Sequence, residues 1–175
     1  EAFFRDWLQT HTPAWQTVVQ RRNPRRQAAP PDVWKAVESP IPSQEGYRIV
    51  WVWSSLKAAQ DEQARAARIE KAGLALEEFR ARLRGPRCRY TRRGAVADAA
   101  AHLAEAAGAA RWVGLEVREQ AEPIFRQARR GRPGPATRYL RRHRLRFDVE
   151  WCPTIATIAY DARCDGIFPL ITNDR

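Results

Sequence analysis

A mixed α+β fold is predicted by three patterns in the sequence. The first is an apolar stripe at helical spacing between positions 66 and 83, where apolar side chains recur every three or four residues. The second is the alternation of apolar and charged residues from Leu145 to Trp151, which is the period of a half-buried strand. The third is the placement of Gly and Pro between such segments, where they end helices and strands. A chain of 175 residues provides one ordinary domain, or one domain and part of a second.

The N-terminal quarter combines a short helix with a proline-rich stretch. Residues 2–9 are predicted to be helical, with Phe3, Phe4, Trp7 and Leu8 on one face. Residues 20–46 hold five prolines and four clustered arginines, so we expect a loop or linker there, with a helical turn near Trp34.

The middle of the chain predicts a strand and two helices. Tyr47 to Trp53 is β-branched and aromatic, as strands are, and Ser54 and Ser55 can cap a helix from about Leu56 to Leu83. Its charged residues are predicted to form a solvated face, including a pair of Asp61 with Arg65, and Gly73 interrupts it at a cost of about 1 kcal/mol relative to Ala. A second helix, about Ala95 to Ala107, ends at Gly108. The stripe of the long helix consists of Ala66, Ile69, Ala72, Leu76, Phe79 and Leu83.

Four further segments are predicted to be strands. Residues 113–117 and 145–151 alternate apolar and polar side chains, and residues 155–160 form an apolar run. Residues 166–172 complete the set, and Pro169 predicts that this strand is at an edge or bulged, because proline cannot donate a ladder hydrogen bond.

The charge of the chain indicates a polyanionic partner. The net charge is +11, and 28 of the 31 basic residues are Arg, whose planar fork grips phosphate with two hydrogen bonds. A GC-rich genome accounts for Arg in place of Lys, but it does not account for the excess of positive over negative charge. We therefore expect a nucleic acid as the partner.

The basic residues concentrate in one interval. Between Glu122 and Asp148 there are nine arginines and no acidic residue. The segment Arg129 to Pro135 (RRGRPGP) resembles the core of an AT-hook, which lies in a narrow minor groove. General phosphate contact and a solvated basic connection are the alternatives. The residues predicted to bind DNA are Arg129, Arg130, Arg132, Arg138, Arg141 and Arg142.

Two other features have a functional and a structural interpretation. Seven arginines between positions 80 and 93 either follow a second stretch of DNA backbone or complement the negative end of a helix dipole. Trp51 and Trp53 share a strand face, where core packing is favoured over base stacking.

The sequence contains few candidate residues for a catalytic or metal site. Asp161 and Asp165 are the best carboxylate pair for Mg²⁺, although aspartates beside strands usually form turns. The three cysteines and three histidines lack metal-ligand spacing, so neither zinc nor disulfides are expected, in keeping with the reducing cytoplasm. No apolar run approaches the ~20 residues of a membrane span.

Two stretches carry a resemblance to a known family. GRPGPATRY (residues 131–139) followed by DARCDGIFPLITND (residues 161–174) resembles DDE transposases of the insertion-sequence-1634 group, within the insertion-sequence-four-like class. YRIVWVWSSLKAAQD (residues 47–61), with Arg65 and residues 69–72, is also similar to that group.

The resemblance implies an RNase-H-like core in which two Asp and one Glu bind Mg²⁺ for DNA cleavage and joining. The chain, which begins at Glu1 and has no Met, would then be an internal fragment between the second Asp and the Glu, so none of those carboxylates maps onto it. The implied division is a basic, Pro-rich leading segment (1–46), an α+β insertion (47–143) and strands joining the core (144–175). The implied partner is double-stranded DNA at the ends of the element, and a homodimer of the full-length enzyme is the expected assembly. The alternatives are a stand-alone nucleic-acid-binding module without catalysis, and an interaction domain whose charge reflects genome bias.

Overall fold

The computed structural model describes residues 2–22 and 30–173, with side chains from Phe4 onward, and confirms a mixed α+β fold. The chain divides into two compact units, unit 1 (Glu1–Ala67 and Ile155–Arg175) and unit 2 (Arg68–Thr154). In chain order the elements are α1 (Ala2–Thr10), β1 (Gln16–Arg21), β2 (Asp32–Glu38), β3 (Arg48–Ser54), α2 (Ser55–Arg84), α3 (Arg93–Ala106), β4 (Val113–Gln127), β5 (Tyr139–Pro153), α4 (Ile155–Ala162) and β6 (Ile167–Thr172).

Unit 1 contains a four-stranded sheet in the order β1-β2-β3-β6, with antiparallel pairing at each of its three junctions. The aromatic and β-branched strand β3 occupies an inner position, as its apolar composition requires. Pro169 lies opposite Trp51 on β6, which is an edge strand of this sheet. The edge position predicted from Pro169 is therefore confirmed.

Helix α1 covers this sheet through aromatic packing. Phe4 and Leu8 are buried, and the ring of Phe4 stacks on Trp51 with their centroids 3.9 Å apart. The predicted short amphipathic helix is confirmed, and core packing is the use made of Trp51. Trp53 lies on the same strand, and the Lys35 ammonium lies 5.0 Å from its ring centroid.

The start of α2 is fixed by a carboxylate from another strand. Ser54 Oγ accepts a hydrogen bond from Lys57 N, so the predicted serine cap is confirmed. Asp32, at the start of β2, accepts hydrogen bonds from the backbone N of Leu56 and from both serine hydroxyls. Burial by itself raises the pKa of Asp32, but these hydrogen bonds outweigh it and hold the pKa below its ordinary value.

Two predicted elements of unit 1 were wrong in type. The loop or linker predicted over residues 20–46, with its helical turn near Trp34, is wrong for Asp32–Glu38, because these residues form strand β2 and pair with strands on both sides. Residues 155–160 belong to helix α4 and not to a strand, and the less exposed positions 157, 158, 160 and 161 have helical spacing. A short apolar run has no periodicity that distinguishes the two structures. The predicted arginine cluster is only partly visible, since Arg25 and Arg26 lie outside the described residues.

Unit 2 is built from the second part of α2, helix α3 and a ribbon of β4 and β5. Leu76 and Leu83 of α2, Val96 of α3 and Val149 of β5 are almost completely buried in one core. The predicted stripe of α2 is confirmed from Ala72 to Leu83, whereas its first member, Ala66, is exposed. Helix α3 ends as predicted, because Gly108 adopts φ +69 and donates its N–H to the carbonyl of Glu105.

The ribbon is much longer than its predicted strands. Its register joins fifteen residue pairs, from Val113 opposite Pro153 to Gln127 opposite Tyr139, which corresponds to about 50 Å of strand. The last buried side chains on the two strands are Val117 and Phe147. Beyond them neither face of the ribbon needs to be apolar, so the alternation that predicts a strand disappears while the hydrogen-bonded ladder continues.

Candidate nucleic-acid interface

The outer end of the ribbon carries the arginines that the sequence singled out. We name it the distal arm: residues 122–127 of β4, residues 139–144 of β5 and the tip loop of residues 128–138. Its six residue pairs correspond to about 20 Å of strand.

The six predicted DNA-binding arginines are all exposed on the distal arm. Arg129, Arg130 and Arg132 lie in the tip loop, and Arg138 closes it. Arg141 and Arg142 lie on β5, opposite Phe125 and Ile124 respectively. The structure thus brings together, at one end of a ribbon, residues that are up to thirteen positions apart.

The two strand arginines among them do not share a face. Successive residues of a strand point to opposite sides, so Arg141 and Arg142 project from opposite faces of the ribbon. The face of Arg141 also carries exposed aromatic and apolar side chains, which include Phe125, Tyr139 and Leu145.

The face of Arg142 holds two arginines that were not in the predicted set. The register places Arg126 opposite Leu140, Arg142 opposite Ile124 and Arg144 opposite Glu122, all on that side. We name Arg126, Arg142 and Arg144 the cationic face. Diagonal or next-but-one neighbours of this kind lie about 7–8 Å apart. In this register the even-numbered residues of both strands lie on one face, so the even numbers of the three arginines could have predicted the cationic face. That signal can be used only if both strands are known to extend this far.

Arginines on the inner half of the ribbon form ion pairs, one of them with Glu122, the innermost β4 residue of the distal arm. Arg118 contacts Glu150 at 2.7 Å, and Arg146 contacts Glu122 at 3.1 Å while donating to the carbonyl of Gly85. Among the described residues, no ion pair joins a carboxylate to the three arginines of the cationic face or to those of the tip loop. Close cations without counterions repel one another, and a polyanion relieves that repulsion.

The tip loop is closed by hydrogen bonds at its base, and there is open space beside its glycines. Ala128 N donates to the carbonyl of Arg138 at 2.9 Å, and Thr137 exchanges two hydrogen bonds with Gly134, at 2.7 and 3.0 Å. Gly131 has φ +143, and a Cβ built on Gly131 or Gly134 would meet nothing within 4 Å. The loop borders a cavity of about 620 Å³ that is lined by its own arginines.

Three of the seven arginines in the second basic run make contacts within unit 2. Arg80 and Arg84 both bind Asp148, with N–O distances of 2.9 and 2.7 Å, and the guanidinium of Arg82 lies over the ring of Phe79. Arg87 and Arg89 are exposed in the connection that follows α2. Structural contacts therefore account for the part of this run that lies on α2.

Asp165, one member of the candidate carboxylate pair, has a structural role as the partner of Arg65. Arg65 donates two hydrogen bonds to Asp165, at 2.7 and 2.6 Å, and both side chains are buried or nearly so. The hydrogen bonds to Asp165 raise the pKa of Arg65 above its ordinary value. Asp161, on α4, is also buried. A carboxylate held by a guanidinium in this way does not fit Mg²⁺, and the described residues contain no group of three His, Cys, Asp or Glu side chains that could hold a metal ion.

The solvated-face interpretation of Arg65 was therefore wrong. Asp61, its predicted partner four residues earlier, instead binds Lys57 at 2.8 Å and accepts a hydrogen bond from Gly166 N. The partner of Arg65 lies a hundred positions away in the sequence, so helical spacing could not reveal it.

The chain shows neither a membrane-spanning helix among its described residues nor a match to a known protein. Within residues 2–22 and 30–173, none of the helices has both the length and the apolarity of a membrane-spanning segment. Comparisons of the chain with protein-family models, with curated proteins and with solved structures find no match.

Proposed function

We propose that this chain is a DNA-holding segment of a DDE-type transposase and that its distal arm contacts the duplex. The observation that carries the proposal is the distal arm itself: a long, exposed ribbon end that bears arginines on one face and in its tip loop, with no carboxylate partners among the described residues. Phosphate groups are the natural counterions, because each Arg offers them a planar pair of donors.

Within that proposal, the cationic face binds the DNA backbone. A two-stranded ribbon is narrow enough to approach a groove, and neighbouring arginines about 7 Å apart on one face can reach successive phosphates of a strand. Arg129, Arg130, Arg132, Arg138 and Arg141 add positive potential from the tip loop and from the other face. These contacts position a duplex without reading its sequence.

The transposase part of the proposal rests on the family resemblance of residues 131–139 and 161–174. Strand β6, which contains residues 167–172, would be the last strand of an RNase-H-like core. Its pairing with β3 occupies one side, so its other side can receive a neighbouring strand. Mg²⁺ would be bound by two Asp and one Glu outside this polypeptide, in an enzyme that acts on the ends of its element, as a homodimer.

The test is duplex binding measured by fluorescence anisotropy over a range of salt concentrations. For each phosphate contact, log affinity should fall by about 0.9 per unit of log salt. The variant R126Q/R142Q/R144Q should lose affinity and lower that slope by about 0.9 for each arginine that contacts phosphate. A matched variant with the same change in charge, R21Q/R22Q/R48Q in unit 1, should keep the slope of the parent.

Two outcomes oppose this part of the proposal. Binding that does not depend on salt contradicts phosphate contact altogether. Equal losses in the two variants show that only the total charge matters, which supports the interaction domain with a compositional charge bias. Circular dichroism of both variants checks that the substitutions leave the fold intact.

A stand-alone nucleic-acid-binding module is the second candidate, favoured by the same arginines and by the role of Asp165 as partner of Arg65. The flanking reading frame separates the two. Asp-bearing strands upstream and a Tyr…Glu helix downstream, together with Mg²⁺-dependent cleavage of the element's ends by the full-length protein, support the transposase. If the flanking reading frame lacks those Asp and Glu residues, the stand-alone nucleic-acid-binding module is the function that is supported.

A further inference from the structure

We infer that the tip loop of the distal arm enters the minor groove and prefers A·T-rich duplex, so that this chain selects DNA by groove shape. This inference rests on the proposed function, because it requires that the distal arm contact DNA. It adds a substrate class and assigns the selection to Arg130 and Arg132.

The first step is the shape of the strip from Arg130 to Pro133. Gly131 lies between the two arginines, has φ +143 and has no atom within 4 Å of the position where a Cβ would be. Residues other than Gly rarely adopt that φ, and without a Cβ the backbone between Arg130 and Arg132 can approach a groove closely. Pro133 restricts the residue before it, Arg132, to an extended conformation.

The second step is that the loop is closed by its own hydrogen bonds. Thr137 accepts a hydrogen bond from Gly134 N and returns one to its carbonyl, and Ala128 N closes the loop on Arg138. A loop held by its own hydrogen bonds loses less conformational entropy on binding than a free chain does.

The third step is the position of the strip at the end of a ribbon. The six strand pairs of the distal arm, from Glu122–Arg144 to Gln127–Tyr139, span about 20 Å, and the ion pair of Glu122 with Arg146 lies at its inner end. A projecting strip can enter a groove that a broad surface cannot. While the strip is in the groove, the cationic face behind it is within reach of the flanking phosphates.

The fourth step is the choice of groove and sequence. The minor groove is about 6 Å wide in ordinary duplex and narrower in A-tracts, where its negative potential attracts inserted Arg. In G·C pairs the N2 amino group of guanine projects into this groove, so it obstructs the strip and repels a guanidinium. Lysine is a strongly hydrated point charge and benefits less from a narrow groove than Arg does.

The experiment measures the affinity of the 175-residue chain for three duplexes of equal length and charge, with a central run of A·T, G·C or inosine·C pairs. Inosine lacks the N2 amino group but keeps the major-groove edge of guanine. We expect A·T and inosine·C to bind at least about fivefold more tightly than G·C. The charge-conserving variant R130K/R132K should bring this ratio close to one without changing the salt slope.

The variant R89K/R92K, which makes the same substitutions outside the distal arm, should leave the ratio unchanged. If inosine·C binds like G·C, or if the parent binds all three duplexes equally with a normal salt slope, the inference is overturned while DNA binding stands. If no duplex is bound in a salt-dependent manner, the proposed function itself fails.

Discussion

At the scale of single residues, the pair Arg65–Asp165 is a long-range contact whose energetic role can be measured. Removing one member leaves an uncompensated buried charge, so Arg65→Met should lower the free energy of unfolding by about 3 kcal/mol in urea denaturation. Replacing both members with apolar residues, in R65M/D165L, should restore most of that loss.

The control for this pair is the exposed ion pair of Arg48 and Glu38, at 2.7 Å. Arg48→Gln should cost less than about 1 kcal/mol, because solvent screens surface pairs. A loss of that small size for Arg65→Met would show that burial of the pair is unimportant.

Two glycines with nearly the same backbone conformation provide a second prediction. Gly166 and Gly46 have φ +77 and +83, but a Cβ on Gly166 would lie 2.6 Å from the carbonyl oxygen of Ser54 and 2.8 Å from Ala58 N, whereas a Cβ on Gly46 meets nothing within 4 Å. Both alanine variants incur the conformational cost, about 1 kcal/mol or somewhat more, and only Gly166→Ala adds a clash with backbone. Thermal and urea unfolding should therefore show a larger loss for Gly166→Ala, by at least about 2 kcal/mol. Equal losses would mean that unit 1 accommodates the Cβ.

The pH dependence of stability should report on Asp148. The hydrogen bond from Arg80, followed by that from Arg84, lowers the pKa of Asp148 from 3.8 to about 2 against the opposing effect of burial. A pKa that is depressed in the folded state stabilises the protein above the unfolded value of 3.8, and this stabilisation is lost as the pH falls from about 4 to about 2. Urea denaturation across that range should show a shallower decline for Asp148→Asn than for the parent, and identical slopes would contradict the assignment.

At the scale of elements, the packing of α2 against the ribbon overrides helix propensity. The sequence treats Gly73 as a weak point of α2, yet a Cβ there would lie 2.5 Å from the ring of Trp151, whose Nε1 donates to Glu77. The absent side chain is what allows the indole to lie against the helix.

Gly73→Ala should therefore destabilise the protein, although alanine favours an isolated helix by about 1 kcal/mol. We expect a net loss of about 1–3 kcal/mol and a changed tryptophan fluorescence spectrum, because the rigid indole must move. The matched control is Gly94→Ala in α3, where nothing lies within 4 Å of the added Cβ, and it should not destabilise. Stabilisation by both variants would show that Trp151 yields at little cost.

At the scale of the whole molecule, the charge is divided very unequally between the two units. Unit 2 holds 20 basic and 10 acidic residues, a net charge of +10, whereas unit 1 holds 11 and 10, a net charge of +1. Genome composition acts on both units alike, so it does not explain this division. The excess belongs to the unit that carries the distal arm.

Limited trypsin digestion of the whole chain should test whether the distal arm contacts DNA. Within unit 2, we expect the first cuts in the tip loop (residues 128–138) and in the connection around Arg87 and Arg89, since both are exposed and lie outside helices and strands. Added duplex should protect the tip loop more than the connection, which mass spectrometry of the fragments measures. Equal protection, or none, would contradict a specific role for the distal arm.

By itself, the sequence determined the mixed fold class, the long helix with its apolar stripe and serine cap, the Gly108 stop, the edge strand with Pro169 and the location of the basic interval. Each of these follows from local periodicity or from the conformational limits of one residue type, which act over a few neighbours. The tertiary structure alone decided the rest. Whether residues 155–160 are helix or strand depends on what packs against them, and the partner of Arg65 is a hundred positions away. The cationic face exists because two exposed strands pair in one register. Strands without a buried face show no alternation of apolar and polar residues, so the sequence alone does not predict them.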